Sequence, residues 1–443
     1  MRRKLHRAYR SVLFRNAAAL YGVQACRKLI PLVSIPYLAR VLGPEGWGTV
    51  AFVQALGEFI VMVVEFGFNL SATREIAQKR DSRAACGEVV AGTLGAQAGL
   101  SLFAVLGAMA AATQIPLLRD HPKLFMAGLF YGVIQGIAPL WFFQGLERMM
   151  LAGGLEISSK IAALGALLLF VRGPGDEWLV LALQGVAPAV STVAGLWLAF
   201  RLVRLRLPSL ALVKRSLALG WPMFLIRSSA SLYGVANVFV LGLFAPAAIV
   251  GYYASAEKIV KAVCGLLLPI RESLYPRLSQ LAIQSPEENK RLTRIGAFLM
   301  GGGGLFLGIV TFAAAPWISH VLLGAGFDQV IPVLRILALL PVIISLTDSV
   351  GMQYLLPRGR ESIVNRVVLG GGFVSLALAF VLAPRYQHIG MASAVVIAEA
   401  FVCGVLAYVV FRMTSRDGEA AVAERPGEPG EEEFVGALSG GDD

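Results

Sequence analysis

Runs of about twenty apolar residues recur along this chain with little between them, and nothing else in the sequence constrains its fold as strongly. They fall at 16–41, 47–68, 87–112, 123–145, 151–171 and 178–200, then at 217–243, 250–273, 294–316, 330–355, 363–384 and 390–411. In hydrocarbon a segment of this length satisfies its own backbone groups only as a helix. Charged residues make up 15% of the 443, against about a quarter in soluble domains, which removes the soluble classes. The sequence therefore predicts an all-α polytopic membrane protein with twelve transmembrane helices.

Lysine and arginine set the expected orientation. Of the 39, 26 lie in segments on the side of the N-terminus, 5 on the opposite side and 8 within spans. Short loops rich in Lys and Arg stay in the cytoplasm, so both termini are expected there. The net charge of +11 is thus read as topology, and no nucleic-acid partner is expected. Residues 1–15 are basic with interspersed apolar side chains and are expected to lie on the anionic membrane surface, without a cleavable signal peptide. The basic stretch 201–216 divides an N-lobe (16–200) from a C-lobe (217–411), six spans in each. Even numbers per half are the mark of parallel repeats. A weak echo fits: VLG at 41–43 and at 240–242 is followed by Gly46-Trp47 and by Gly251-Tyr252. The acidic, Gly- and Pro-rich stretch 412–443 is expected to be a disordered cytoplasmic tail.

Ionisable residues inside spans are costly and so point to partners or a wet cavity. The cations are Arg27, Lys28, Lys160, Arg227, Lys258, Lys261, Arg335 and Arg366; the acids are Glu58, Glu65, Glu156, Glu257, Asp348 and Glu399. Glu156–Lys160 and Glu257–Lys261 share a helix face and can pair locally. Arg27 and Lys28 have no local acid and precede Pro31 and Pro36, which kink a helix. Arg227 holds the matching place in the second half, after Pro222. First helices of this kind, facing each other, would make a cationic chamber suited to a diphosphate, with Arg335 and Arg366 extending it. Glu65 and Asp348 either take up a proton or sodium ion or neutralise a nearby arginine. Four scattered cysteines and four histidines show no metal spacing, and Gly301–Gly304 lacks the lysine of a phosphate loop. No cofactor or metal is expected.

Several stretches carry a family resemblance: IPYLARVLGPEGWGTVAF (35–52), EFGFNLSATREIAQKR (65–80), GWPMFL (220–225), VGYYASAEKIVKAV (250–263) and LLLPIRESLYPRLSQL (266–281). In this order, with twelve spans, they resemble the Wzx-type polysaccharide flippases of the multidrug/oligosaccharidyl-lipid/polysaccharide exporter superfamily. The resemblance implies a V-shaped bundle of two six-helix lobes around a central cavity, in a bacterial inner membrane. It implies alternating access carrying undecaprenyl-diphosphate-linked O-antigen or exopolysaccharide repeat units to the periplasmic leaflet, coupled to an ion gradient. It also implies association with a polysaccharide polymerase and a chain-length regulator. Arg27, Lys28, Lys258 and Lys261 match the family's basic positions. Asn237 stands where many relatives have an acid, which weakens an ion site in the seventh helix. A cation exporter of the same superfamily would want an acidic cavity, and the peptidoglycan lipid-intermediate flippases have fourteen helices. An enzyme such as a polymerase or ligase needs a larger outer loop than residues 317–329 provide. Neutralising Arg27 and Lys28 together is expected to abolish transport of a lipid-linked oligosaccharide in proteoliposomes without lowering expression; normal transport would remove them from the site.

Overall fold

The computed structural model describes residues 2–204 and 206–423, with side chains described between Ile30 and Met413 except at 152, 205, 226, 229–233, 282–283, 286 and 290. Arg27 and Lys28 lie outside the described side chains. Among the described residues the chain is helical, with no strand. The first half holds α1 (Arg2–Glu65), α2 (Phe68–Lys79), α3 (Arg83–Ala112), α4 (Pro116–Arg119), α5 (Pro122–Ile137), α6 (Leu140–Gly145), α7 (Met149–Phe170) and α8 (Glu177–Leu202). The second holds α9 (Leu210–Phe244), α10 (Ala247–Gly265), α11 (Leu268–Gln284), α12 (Pro286–Ile318), α13 (Val330–Leu337), α14 (Leu340–Asp348) and α15 (Glu361–Ala423).

Eight stretches of the described chain are long and apolar enough to cross a membrane. The first and last of them, 50 and 53 residues long, exceed a single crossing of about 20 residues. Each is broken. In α1 the break is Gly43, at φ 70° and ψ 177°, a conformation that a side chain would strain, followed by Pro44. Both pieces of α1 border one chamber. In α15 it is Gln387, at φ 50°. Gly390 there packs on the Leu382 carbonyl and Gly371 on Val402, so the two pieces of α15 lie antiparallel.

Where the helices stop differs in detail from the apolar runs. Pro139 has no N–H to continue α5, so the run 123–145 divides into α5 and α6. Pro341 has the same effect between α13 and α14, and a π-helix, Ser349–Leu355, follows. The linker expected at 201–216 is shorter: α8 ends at Leu202, and Ser209 caps α9 by accepting from the Leu212 amide. The tail expected from 412 begins later, because α15 runs to Ala423; residues 424–443 lie outside the described chain.

The main apolar cluster joins the halves. It runs from Ile35–Val64 of α1 through Val238–Val260 to Val330–Leu340 and Ala379–Val395. Its tightest point is backbone on backbone. A Cβ on Gly48 would overlap the Ala247 carbonyl, and one on Gly251 would overlap that of Pro44. Trp47 Nε1 donates to Ser255 Oγ at 2.9 Å, and Phe52 stacks on Phe239 with centroids 5.1 Å apart. Overpacking a close-packed contact costs about 1–3 kcal/mol. Gly48→Val is therefore expected to lower the unfolding temperature of the detergent-solubilised protein. Gly165→Ala, where a Cβ meets nothing within 4 Å, is expected to leave it unchanged or raise it.

Candidate functional site

Two chambers of about 600 and 750 Å³ open among these helices. Both are bordered by Glu58, Tyr131, Gln135, Lys160, Pro188 and Val235, so they adjoin there. One stripe of α1 serves both: Gln54, Glu58 and Glu65 fall at helical spacing on one face of an otherwise apolar segment. Across from it, α10 contributes Glu257, Lys258 and Lys261 to the larger chamber, whose remaining wall is largely aliphatic.

Lys258 extends from the second half to the first. Its Nζ donates to Gln54 Oε1 at 2.9 Å and lies 4.5 Å from the centre of the Trp47 ring. Gln54 in turn donates to Gln184 Oε1 at 3.1 Å. Among the described residues no carboxylate pairs with Lys258. Lys261 does pair, with Glu257 at 3.2 Å, and also donates to the Gly234 carbonyl. The buried Glu257 further accepts from Asn237 and from Tyr253, each at 3.3 Å.

The remaining charges bordering the cavity are mostly paired. Arg227 stands 3.7 Å from Glu65 beside the smaller chamber, and Arg271 stands 3.2 Å from Asp348 beside the larger. Both carboxylates singled out in the sequence thus stand next to an arginine. Lys160 pairs with Glu156 at 3.9 Å, and Tyr131 donates to Glu58 at 2.5 Å. Arg335 and Arg366 border neither chamber; both are exposed, and Arg335 lies over Phe312.

The described walls therefore carry five cations (Lys160, Arg227, Lys258, Lys261, Arg271) and six carboxylates (Glu58, Glu65, Glu156, Glu257, Asp348, Glu399). That balance departs from the cationic chamber the sequence led us to expect. Two of its supposed cations face elsewhere, Arg27 and Lys28 lie outside the described side chains, and acids from four other helices border the cavity. Sequence reasoning also passed over Trp47, Gln54, Tyr131, Gln184 and Arg271. The polar stripe on α1 was a usable signal for Gln54. Arg271 was missed because it stands at the end of the 250–273 run and was counted with the basic segment that follows.

The sequence profile of a family described as polysaccharide biosynthesis protein matches residues 13–282. The chain belongs to this family. Among its relatives is a "Putative O-antigen transporter" of Escherichia coli (strain K12), 29% identical over 396 residues, 89% of this chain and 95% of the relative. A protein of the same description from Shigella dysenteriae is 28% identical over 402 residues, 88% of this chain and 97% of that one. Of solved structures, the lipid II flippase MurJ in an inward closed conformation superposes with a TM-score of 0.68 at 11% identity, covering 89% of this chain and 87% of its own. An inward-facing multidrug resistance MATE family transporter of the MOP superfamily gives 0.65 at 15%, covering 87% and 94%. These two likenesses establish a shared fold. The family member described here is thus a multi-pass membrane protein that shares the fold of these two structures.

The Arg271–Asp348 pair yields a test of what pairing contributes. Breaking a fully buried pair costs about 3–5 kcal/mol; here the side chains keep 26% and 18% exposure, so Asp348→Ala is expected to cost about 1–3 kcal/mol. Removing Arg271 as well is expected to restore part of that loss, read as a coupling energy in a double-mutant cycle of thermal unfolding.

Proposed function

We propose that this protein is a flippase that carries lipid-linked polysaccharide repeat units across the inner membrane by alternating access of the cavity between its two halves. Family membership over residues 13–282 supplies the polysaccharide context. The observation that carries the choice of cargo is Lys258: the described cation at the junction of the halves that is held by an amide and an indole face instead of a carboxylate. An anionic diphosphate gains a charge-assisted bond there. A cationic drug would meet carboxylates already engaged, since Glu65, Glu156, Glu257 and Asp348 each lie within 4.0 Å of a cation and Glu58 is bonded to Tyr131. Lys261 flanks the same chamber as Lys258 and serves as a further phosphate contact once its own partner shifts, and Arg227, in the adjoining smaller chamber, contacts the cargo beyond the diphosphate. Arg27 and Lys28, on the first helix, are likewise assigned as phosphate contacts.

The proposal includes twelve crossings in two six-helix lobes opening as a V. Eight stretches qualify by hydropathy, and the breaks at Gly43 and Gln387 divide two of them, which supports ten. The remaining two are α9, whose described part includes the apolar stretch Gly234–Phe244, and α10 with α11, which carry Glu257, Lys258, Lys261, Arg271 and Glu272. The distribution of lysine and arginine supports cytoplasmic termini.

The test is transbilayer movement of an undecaprenyl-diphosphate oligosaccharide in proteoliposomes holding only this protein, scored by access of an impermeant reagent. A hydrogen bond to a charged group contributes about 1.5–3 kcal/mol, so Lys258→Gln is expected to slow movement about 10- to 100-fold. Lys123→Gln, in the first turn of α5, is expected to change nothing. Efflux of a cationic dye in place of lipid movement would overturn the reading.

A further inference from the structure

The amides bordering the two chambers are in different states. In the larger, Gln54 is engaged by both Lys258 and Gln184, and Asn237 by Glu257. In the smaller, Asn69 of α2 and Gln144 of α6 border the space, with Gln135 of α5 at its junction with the larger. Among the described residues the side-chain amides of these three make no hydrogen bond to protein. Each presents a donor and an acceptor side by side. The charges around them are spoken for, Glu65 by Arg227 and Glu156 by Lys160. A chamber with open amides and paired charges suits a neutral ligand with many hydroxyls, since each hydroxyl both donates and accepts. It suits a free ion poorly. Its volume of about 600 Å³ is in the range of sites that enclose drug-sized molecules, room for a short oligosaccharide.

We propose that the smaller chamber is the glycan subsite, where Asn69, Gln135 and Gln144 bond the hydroxyls of the first sugars of the cargo. The inference rests on the flippase reading above and divides its cavity by chemistry. Lys258 takes the diphosphate in the larger chamber, and the sugars pass the Tyr131–Glu58 junction into the smaller. The order of groups along such a cargo, lipid, diphosphate, sugar, then matches the order of the walls: aliphatic, cationic, amide.

The test measures binding to the protein in nanodiscs with two probes, undecaprenyl diphosphate and the same lipid bearing a neutral trisaccharide. Wild type is expected to bind the glycosylated lipid more tightly. The double variant Asn69→Ala, Gln144→Ala is expected to lose about tenfold for the glycosylated lipid while binding the bare lipid as before. Lys258→Gln is expected to weaken both. Retained binding of the bare lipid reports that the double variant is folded. If that binding is lost, Gln144→Glu, which keeps the side chain's shape and removes its donor, decides in its place. A loss confined to the glycosylated lipid supports the subsite. Equal effects on both probes, or none, overturn it. Equal affinity of wild type for the two probes overturns the subsite and leaves the flippase reading standing; binding of neither overturns both.

Discussion

A charge within the thickness of a bilayer must find a partner, and in this protein those partnerships tie together helices far apart in the chain. Glu65 at the end of α1 meets Arg227 of α9, and Asp348 at the end of α14 meets Arg271 of α11. Each pair joins elements that the connecting loops leave free. The pair Glu156–Lys160, by contrast, lies within one helix. The cross-helix pairs fix which faces turn inward, because a carboxylate turned toward lipid would cost a few kcal/mol. The cavity is polar at these points and aliphatic elsewhere for the same reason.

The contact between the halves is of another kind. Near Gly43 it consists of glycine against backbone at Gly48 and Gly251, stacked Phe52 and Phe239, and one neutral bond from Trp47 to Ser255. About 30 Å along α1, at Glu65, the halves meet through an ion pair whose members keep 24% and 45% exposure. Parting the first contact takes Lys258 away from Gln54 and the Trp47 ring, and parting the second leaves two ions with access to water. A salt bridge deep in the Gly48 contact would make separating these helices far costlier.

Much of the helical layout was legible because it rests on the simplest signal, apolar runs long enough to span hydrocarbon. The break after Val41-Leu42 was visible as Gly43-Pro44, and the cap at Ser209 was there to be read. The site was only partly legible. Charged residues stand out against an apolar background, so Arg227, Lys258, Lys261, Glu65 and Asp348 were found. Whether they face a cavity depends on helix rotation and on neighbours hundreds of residues away. Arg335 and Arg366 look equivalent to Arg227 in sequence, yet they turn away from both chambers. Neutral residues such as Gln144 and Gln184 carry no periodic mark, and their role depends on which groups surround them. A count of charges within spans suggested a positive excess, whereas a count around the described cavity is close to balance.

That balance makes the manner in which each cation is held matter more than the number of cations. Displacing a cation from a carboxylate leaves the carboxylate exposed in a low-dielectric space, so a phosphate competing there gains one charge–charge contact and gives up another. Lys258 presents no such exchange. Gln54 holds it through a neutral oxygen, and Trp47 through a ring face worth about 0.5–2 kcal/mol. When a phosphate draws the ammonium away, Gln54 keeps its bond to Gln184 and the indole keeps its bond to Ser255. The groups left behind are still satisfied, and the gain at the phosphate is nearly undiminished. Because Gln54 and Lys258 belong to opposite halves, the same displacement removes one of the bonds between them. In the proposed flippase, arrival of the cargo would thereby loosen the contact that has to part for it to move.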